Sequence, residues 1–435
     1  MYLGTAASRN PTPILVVARD ASEASRLEEE LRFFAAPGLP ILAFPGYETL
    51  PYDQFSPHPD IISQRLRTLS RLPTLRQGIV ITDLATALQR LPPRNFIDGH
   101  SLVLAVGEDL DLDAFRLRLT AAGYASVPQV ATPGEFAIRG SLFDVFPMGS
   151  EAPLRIDLFD RQVDSIRSFD PESQRSSDKL ARLELLPARE FSLATESARE
   201  FRRRFRTRFE GDLTRMPLYR DVGEGLAAAG IEYYLPLFFD ATASLFDYLP
   251  AGGIVALPAD YGVLLQSTWQ SIEERHEERR YDIEHPVLAP AEVFLALDDW
   301  TASAGARPRL LLQDGPLEAT VTDEETCVDL GASEAPPSRL DQRREETIRA
   351  FATQLGASPG RVLIAAESPG RRELLLELLR PLGVELRVVA GWQEFLDSDA
   401  RIALAVAPLA SGLALAEPAL TVYAEEQLFG ERARQ

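Results

Sequence analysis

The chain has 435 residues, 45% of them apolar, and carries 45 basic against 65 acidic side chains for a formal net charge of −20. That apolar fraction supports packed cores and excludes global disorder, and the length suits about three domains. So acidic a chain is not built chiefly to grip phosphates, because non-specific affinity for nucleic acid comes from a basic footprint.

Residues 13–19 (PILVVAR) form a short apolar run that predicts a buried parallel strand, and residues 21–34 follow with a charged helical pattern. Residues 39–44, then 78–82 (GIVIT) with a helix over 84–90, repeat the strand–helix rhythm of an α/β layer with a parallel sheet. From about residue 98 the texture changes to a strand at 101–106, a helix at 112–123 and a series of strands ending near 193, which reads as an inserted α+β unit. Within it, residues 154–160 (LRIDLFD) alternate with period two: Leu154, Ile156 and Leu158 on one face, Arg155, Asp157 and Phe159 on the other. The first set fills a core. The second leaves a phenylalanine beside an arginine, and Arg139, at the end of the preceding extended segment, belongs alongside Arg155. Two arrangements fit this pattern. In one it is a docking surface, since large aromatics and Arg dominate interface hot spots; in the other, Phe159 is covered by the rest of the chain and Arg155 pairs with Asp157.

Beyond the unit, residues 196–210 space Phe201, Phe205 and Phe209 as one helical stripe ringed by arginines, a packed helix with a solvated basic face. Strand–helix alternation resumes over 230–300, with a strand at 252–257 and a helix at 263–280. Pro- and Gly-bearing segments at 302–316 and 331–337 predict a domain boundary. A helix at 342–355, strands at 361–366, 385–389, 401–406 and 420–423, and a helix at 370–382 then give a second, smaller α/β domain.

A family resemblance rests on the stretch GEFAIRGSLFDVFPMGSEAPLRIDLFDRQVDSIRSFD (134–170) and the upstream run FPGYETLPYDQFSPHPDIISQRLRTLSR (44–71), continued by GIEYYLPLFFDATASLFDYL (230–249) and YAEEQLFGER (423–432). In these segments the chain resembles the bacterial transcription-repair coupling factors, the Mfd family. The resemblance implies a degenerate, helicase-like α/β domain similar to UvrB, made of residues 1–97 and 194–337, interrupted by an inserted UvrA-binding α+β domain at 98–193 and followed by a small α/β domain at 338–435. It carries the family's UvrA contacts onto Arg139, Arg155 and Phe159. It also implies a non-catalytic N-terminal module that recruits UvrA to stalled transcription complexes for nucleotide excision repair. RNA polymerase, DNA and a C-terminal autoinhibitory region are then the further partners of the full-length, DNA-translocating ATPase, whose later domains lie outside this sequence.

The alternative, a UvrB-like nucleotide- or DNA-dependent repair enzyme, needs a GxxxxGK[ST] loop to cradle phosphates. The sequence has none: its one lysine, Lys179, lies in SSDKL, and residues 4–10 (GTAASRN) lack one. Residues 51–72 are also too short to hold the long aromatic hairpin with which UvrB clamps DNA. No cofactor is expected, and no catalytic set. Asp157, Asp160 and Asp164 are separated by strand alternation; Ser368-Pro369-Gly370 reads as a helix cap; Tyr47, Tyr52 and His58 belong to a folded-down loop. His58, His100, His276 and His285 form no metal-ligand spacing with the single cysteine, Cys327, which also excludes an internal disulfide. Without an apolar run of membrane-spanning length or a signal sequence, a soluble cytoplasmic protein with no membrane partner is expected.

Overall fold

A computed structural model describes residues 1–313, 328–341 and 343–429; Cys327, the end of the 302–316 segment, Gln342 and the last residues of the closing motif lie outside them. The fold is mixed α/β and divides into two compact units, one of Pro11–Ala24 and Leu42–Leu312, the other of Met1–Asn10, Ser25–Ile41 and Gln313–Gln435.

The larger unit is built on a five-stranded sheet in the order Arg309–Leu312, Ile254–Pro258, Ile14–Ala18, Ile79–Asp83, Ile41–Ala43. Ile14–Ala18 pairs in parallel on both sides and is buried along its whole length, as its unbroken apolar run requires. Arg309–Leu312 extends this sheet in parallel from Ile254–Pro258, and the helix Leu297–Gly305 precedes it, so most of the segment expected to be a linker is regular structure. Along the strand Leu310 and Leu312 are half-buried while Arg309 and Leu311 are exposed, a weak signal beside the Pro and Gly around it.

In sequence between Ile79–Asp83 and Ile254–Pro258 come the strands of the α+β part. Leu102–Ala105 pairs antiparallel with Arg182–Leu185, and a separate six-stranded sheet runs Ser176–Leu180, Gln162–Phe169, Leu154–Phe159, Leu142–Val145, Glu135–Arg139, Ala125–Ser126. One face buries Phe136, Phe143, Ile156 and Ile166, with Phe115 of the helix Leu112–Ala121 meeting Phe143 edge to face at 5.5 Å. Thr195–Arg208 is helical, with Phe201 and Phe205 fully buried and Phe209 packed against the same core, as the stripe predicts.

The smaller unit holds a mixed six-stranded sheet in which Arg361–Ala366 pairs in parallel with Ile402–Val406 and Leu420–Ala424. The helix Glu345–Ala357 buries Ile348, Phe351 and Leu355. This unit also takes in residues from the chain start that sequence reading gave wholly to the first domain: Phe34 meets Trp392 edge to face at 5.1 Å and shares a core with Leu363 and Val422. Two adjacent phenylalanines at the end of a charged helix do not say in sequence which core they serve.

Candidate functional site

Two tight turns, both at one end of the six-stranded sheet, set up the site. Arg139 pairs with Leu142 across Gly140-Ser141, and Phe159 with Gln162 across Asp160-Arg161. Gly140 (φ 62°) and Asp160 (φ 57°) take the left-handed backbone that such turns demand. Along Leu154–Phe159 burial alternates as read: Leu154, Ile156 and Leu158 are buried, Arg155 and Asp157 half-buried, and Phe159 is 77% exposed. The phenylalanine is therefore not covered, and among the described residues it has no aromatic partner within ring-contact distance.

Arg155 departs from expectation. Its register partner is Asp144, directly across on Leu142–Val145, and not Asp157 on its own strand. Asp144 is 2% exposed and receives Arg155 Nε at 2.7 Å and Nη2 at 2.8 Å, a bidentate pair. The same carboxylate takes Arg139 Nη2 at 2.9 Å. Arg155 also donates to the Gln174 side chain at 3.0 Å and lies 4.5 Å over the Phe169 ring, leaving its side chain only 18% accessible. Hydrogen bonding to Asp144 pushes its already high pKa further up. Asp157 instead accepts from Ser165 at 2.8 Å.

The structure thus places Arg139 and Phe159 beside the two turns at one end of the sheet, with Arg155 four residues before Phe159 on the same strand and joined to Arg139 through Asp144. Arg139 is half-exposed, Arg155 is clamped, and Phe159 stands free. Asp144 and Phe169 were missed by sequence reading. The only trace of the first is an aspartate inside the otherwise apolar strand LFDV. An anion buried under two guanidiniums fixes where both cations sit, and the surface can offer hydrogen-bond donors and an apolar anchor to a protein partner.

The remaining sequence candidates fall elsewhere. Tyr47 and Tyr52 are buried, while His58 is exposed and caps the helix Pro59–Arg71. Beneath Tyr47 lies a cluster that composition does not announce. Arg65, fully buried, donates through Nε to Glu190 at 2.7 Å and lies 4.3 and 4.2 Å from the Phe44 and Tyr47 ring centres, while the Tyr47 hydroxyl donates to Glu190 at 2.5 Å. Burial, then the Glu190 charge, pushes the Tyr47 pKa well up, so the phenol stays neutral. Ser368 caps the helix Pro369–Leu379, Arg371 pairs with the buried Glu425, and Arg372 pairs with Glu373. No group of His, Cys, Asp and Glu able to hold a metal ion occurs among the described residues, and no described helix is long and apolar enough to cross a membrane.

Comparison with known proteins places these parts. The profile of the UvrB interaction domain matches residues 102–191, and that of the D3 domain of Mfd matches residues 354–428. The transcription-repair-coupling factor of Haemophilus influenzae is 34% identical over 98% of this chain and 37% of its own length. That of Escherichia coli is 35% identical over 98% of the chain and 36% of its own, and that of Myxococcus xanthus 28% identical over 97% and 37%. The chain spans a little over a third of the length of these relatives. With both profiles in order along it and the likeness running from end to end, the chain belongs to the bacterial transcription-repair coupling factor family and corresponds to its N-terminal region.

Proposed function

We propose that this chain is the non-catalytic, UvrB-like module that couples stalled transcription to nucleotide excision repair by recruiting UvrA. The α+β part, residues 98–193, is the docking domain; the rest of the larger unit is its degenerate helicase-like host, and the smaller unit is a separate domain. One observation carries the reading: Phe159 projects 77% exposed from the strand on which Arg155 is locked to Asp144. A large exposed aromatic beside a pre-ordered arginine loses little entropy on binding and has the composition of an interface anchor. The family's names supply the setting, since the relatives are transcription-repair-coupling factors. RNA polymerase and DNA are partners of the full-length protein and cytoplasm its compartment in this proposal.

Independent ATP hydrolysis is not part of the reading, because the sequence lacks a phosphate loop and its one lysine lies in the strand Ser176–Leu180. Titration of purified UvrA against the chain tests the proposal. Saturable association is expected, with no ATP turnover by the chain alone. Absence of association would overturn the recruitment reading, and turnover abolished by a substitution within this chain would favour the UvrB-like enzyme instead.

A further inference from the structure

A second feature lies within the larger unit, between the α+β strands and the α/β layer. A cavity of about 200 Å³ is lined by Gly134, Met148 and Arg189 of the α+β part and by Ser56, Pro59 and Glu232 from outside it. Arg189 is partly buried, and desolvation depresses its pKa. Among the described residues its guanidinium has neither an ion pair nor a hydrogen bond. The neighbouring carboxylates are engaged elsewhere. Glu190 is held by Arg65 and Tyr47. Glu135 accepts the Ala131 and Thr132 N–H groups at 2.8 and 2.9 Å. Glu232 accepts the Ser56 hydroxyl at 2.9 Å and lies beyond ion-pair distance of Arg189. A half-buried guanidinium without a counter-ion leaves its rigid fork open to an oxyanion.

We propose that this cavity binds a small oxyanion, a carboxylate or a tetrahedral sulfate- or phosphate-like group, through the Arg189 guanidinium. Glu232 makes the binding proton-linked. It faces Arg189, Glu190, Tyr47 and Tyr233, and burial pushes its carboxyl up to about 7. Protonated, it offers a hydrogen-bond donor and removes one of the three carboxylate charges in the cavity wall. This inference does not depend on UvrA recruitment.

Calorimetric titration of the whole chain with sodium sulfate and with sodium acetate, at about pH 6 and about pH 8, tests it, and the tighter of the two anions identifies the head group. If only the protonated site binds, affinity falls about tenfold across that interval, following the protonated fraction of a group titrating near 7. Glu232→Gln should bind either anion with the pH dependence removed. Arg189→Met, which keeps the apolar stem, should bind neither while melting no lower than the parent in anion-free buffer. If it fails to fold, Arg189→Lys, which keeps the charge but loses the fork, should bind more weakly than the parent. Absence of binding by the parent at either pH, or equal affinity in the parent and the Arg189 variants, overturns the proposal.

Discussion

Asp144 and Arg155 face one another across neighbouring strands as a bidentate ion pair, with the carboxylate 2% exposed and the guanidinium 18%. The pair makes Arg155 part of the fold as well as of the surface. Arg155→Ala strands a buried carboxylate that keeps only the half-exposed Arg139, so stability should drop by about 1–3 kcal/mol, where a free surface arginine would cost less than about 1 kcal/mol. Urea midpoints of parent and variant decide between these values.

Phe159 and Ile156 are three positions apart on one strand and opposite in burial, at 77% and 0% exposed. Phe159→Ala should therefore leave the midpoint within about 0.5 kcal/mol of the parent, whereas Ile156→Ala opens a cavity in the main core and should cost about 2–5 kcal/mol. Comparable losses in the two variants would mean that Phe159 is packed.

Among the described residues Glu190 is the only carboxylate that pairs with Arg65, and both are fully buried. Glu190→Ala leaves an uncompensated guanidinium in the interior and should destabilise by about 3–5 kcal/mol. The shape-matched Glu190→Gln should lose less, since its amide oxygen still accepts from Arg65. Thermal melts of the two variants check this order.

Glu232 fixes the sign of a pH effect. Its folded carboxyl titrates near 7 against an ordinary value of 4.5, so between these values the folded chain holds a proton that the unfolded chain has released. Stability therefore falls as pH rises through that window, by roughly 3 kcal/mol if Glu232 acts alone. Glu232→Gln should flatten the decline and be the more stable protein above pH 7. Parallel pH profiles for parent and variant would contradict this.

Local periodicity carried much of this fold. The alternation of residues 154–159 and the Phe201–Phe205 stripe are consequences of one element meeting one core, and each is legible within a dozen residues. Cross-strand partnership is not. Asp157 is the acidic residue next to Arg155 in sequence and on its face, yet the register sets Asp144 opposite, and register depends on where two turns close. The Arg65–Glu190 pair, 125 positions apart, leaves no local pattern at all. Phe34 shows the same limit, since nothing in the charged helix that it closes says which core it joins.

The proposed docking face is tested most directly by measuring UvrA affinity for Phe159→Ala against the parent, with the urea midpoint recorded on the same samples. Truncation of an anchor of this kind costs about 2–4 kcal/mol of binding, about thirty- to a thousandfold in affinity, and the midpoint should not move. Parent-like affinity in a folded Phe159→Ala protein would show that this end of the sheet is not where UvrA docks.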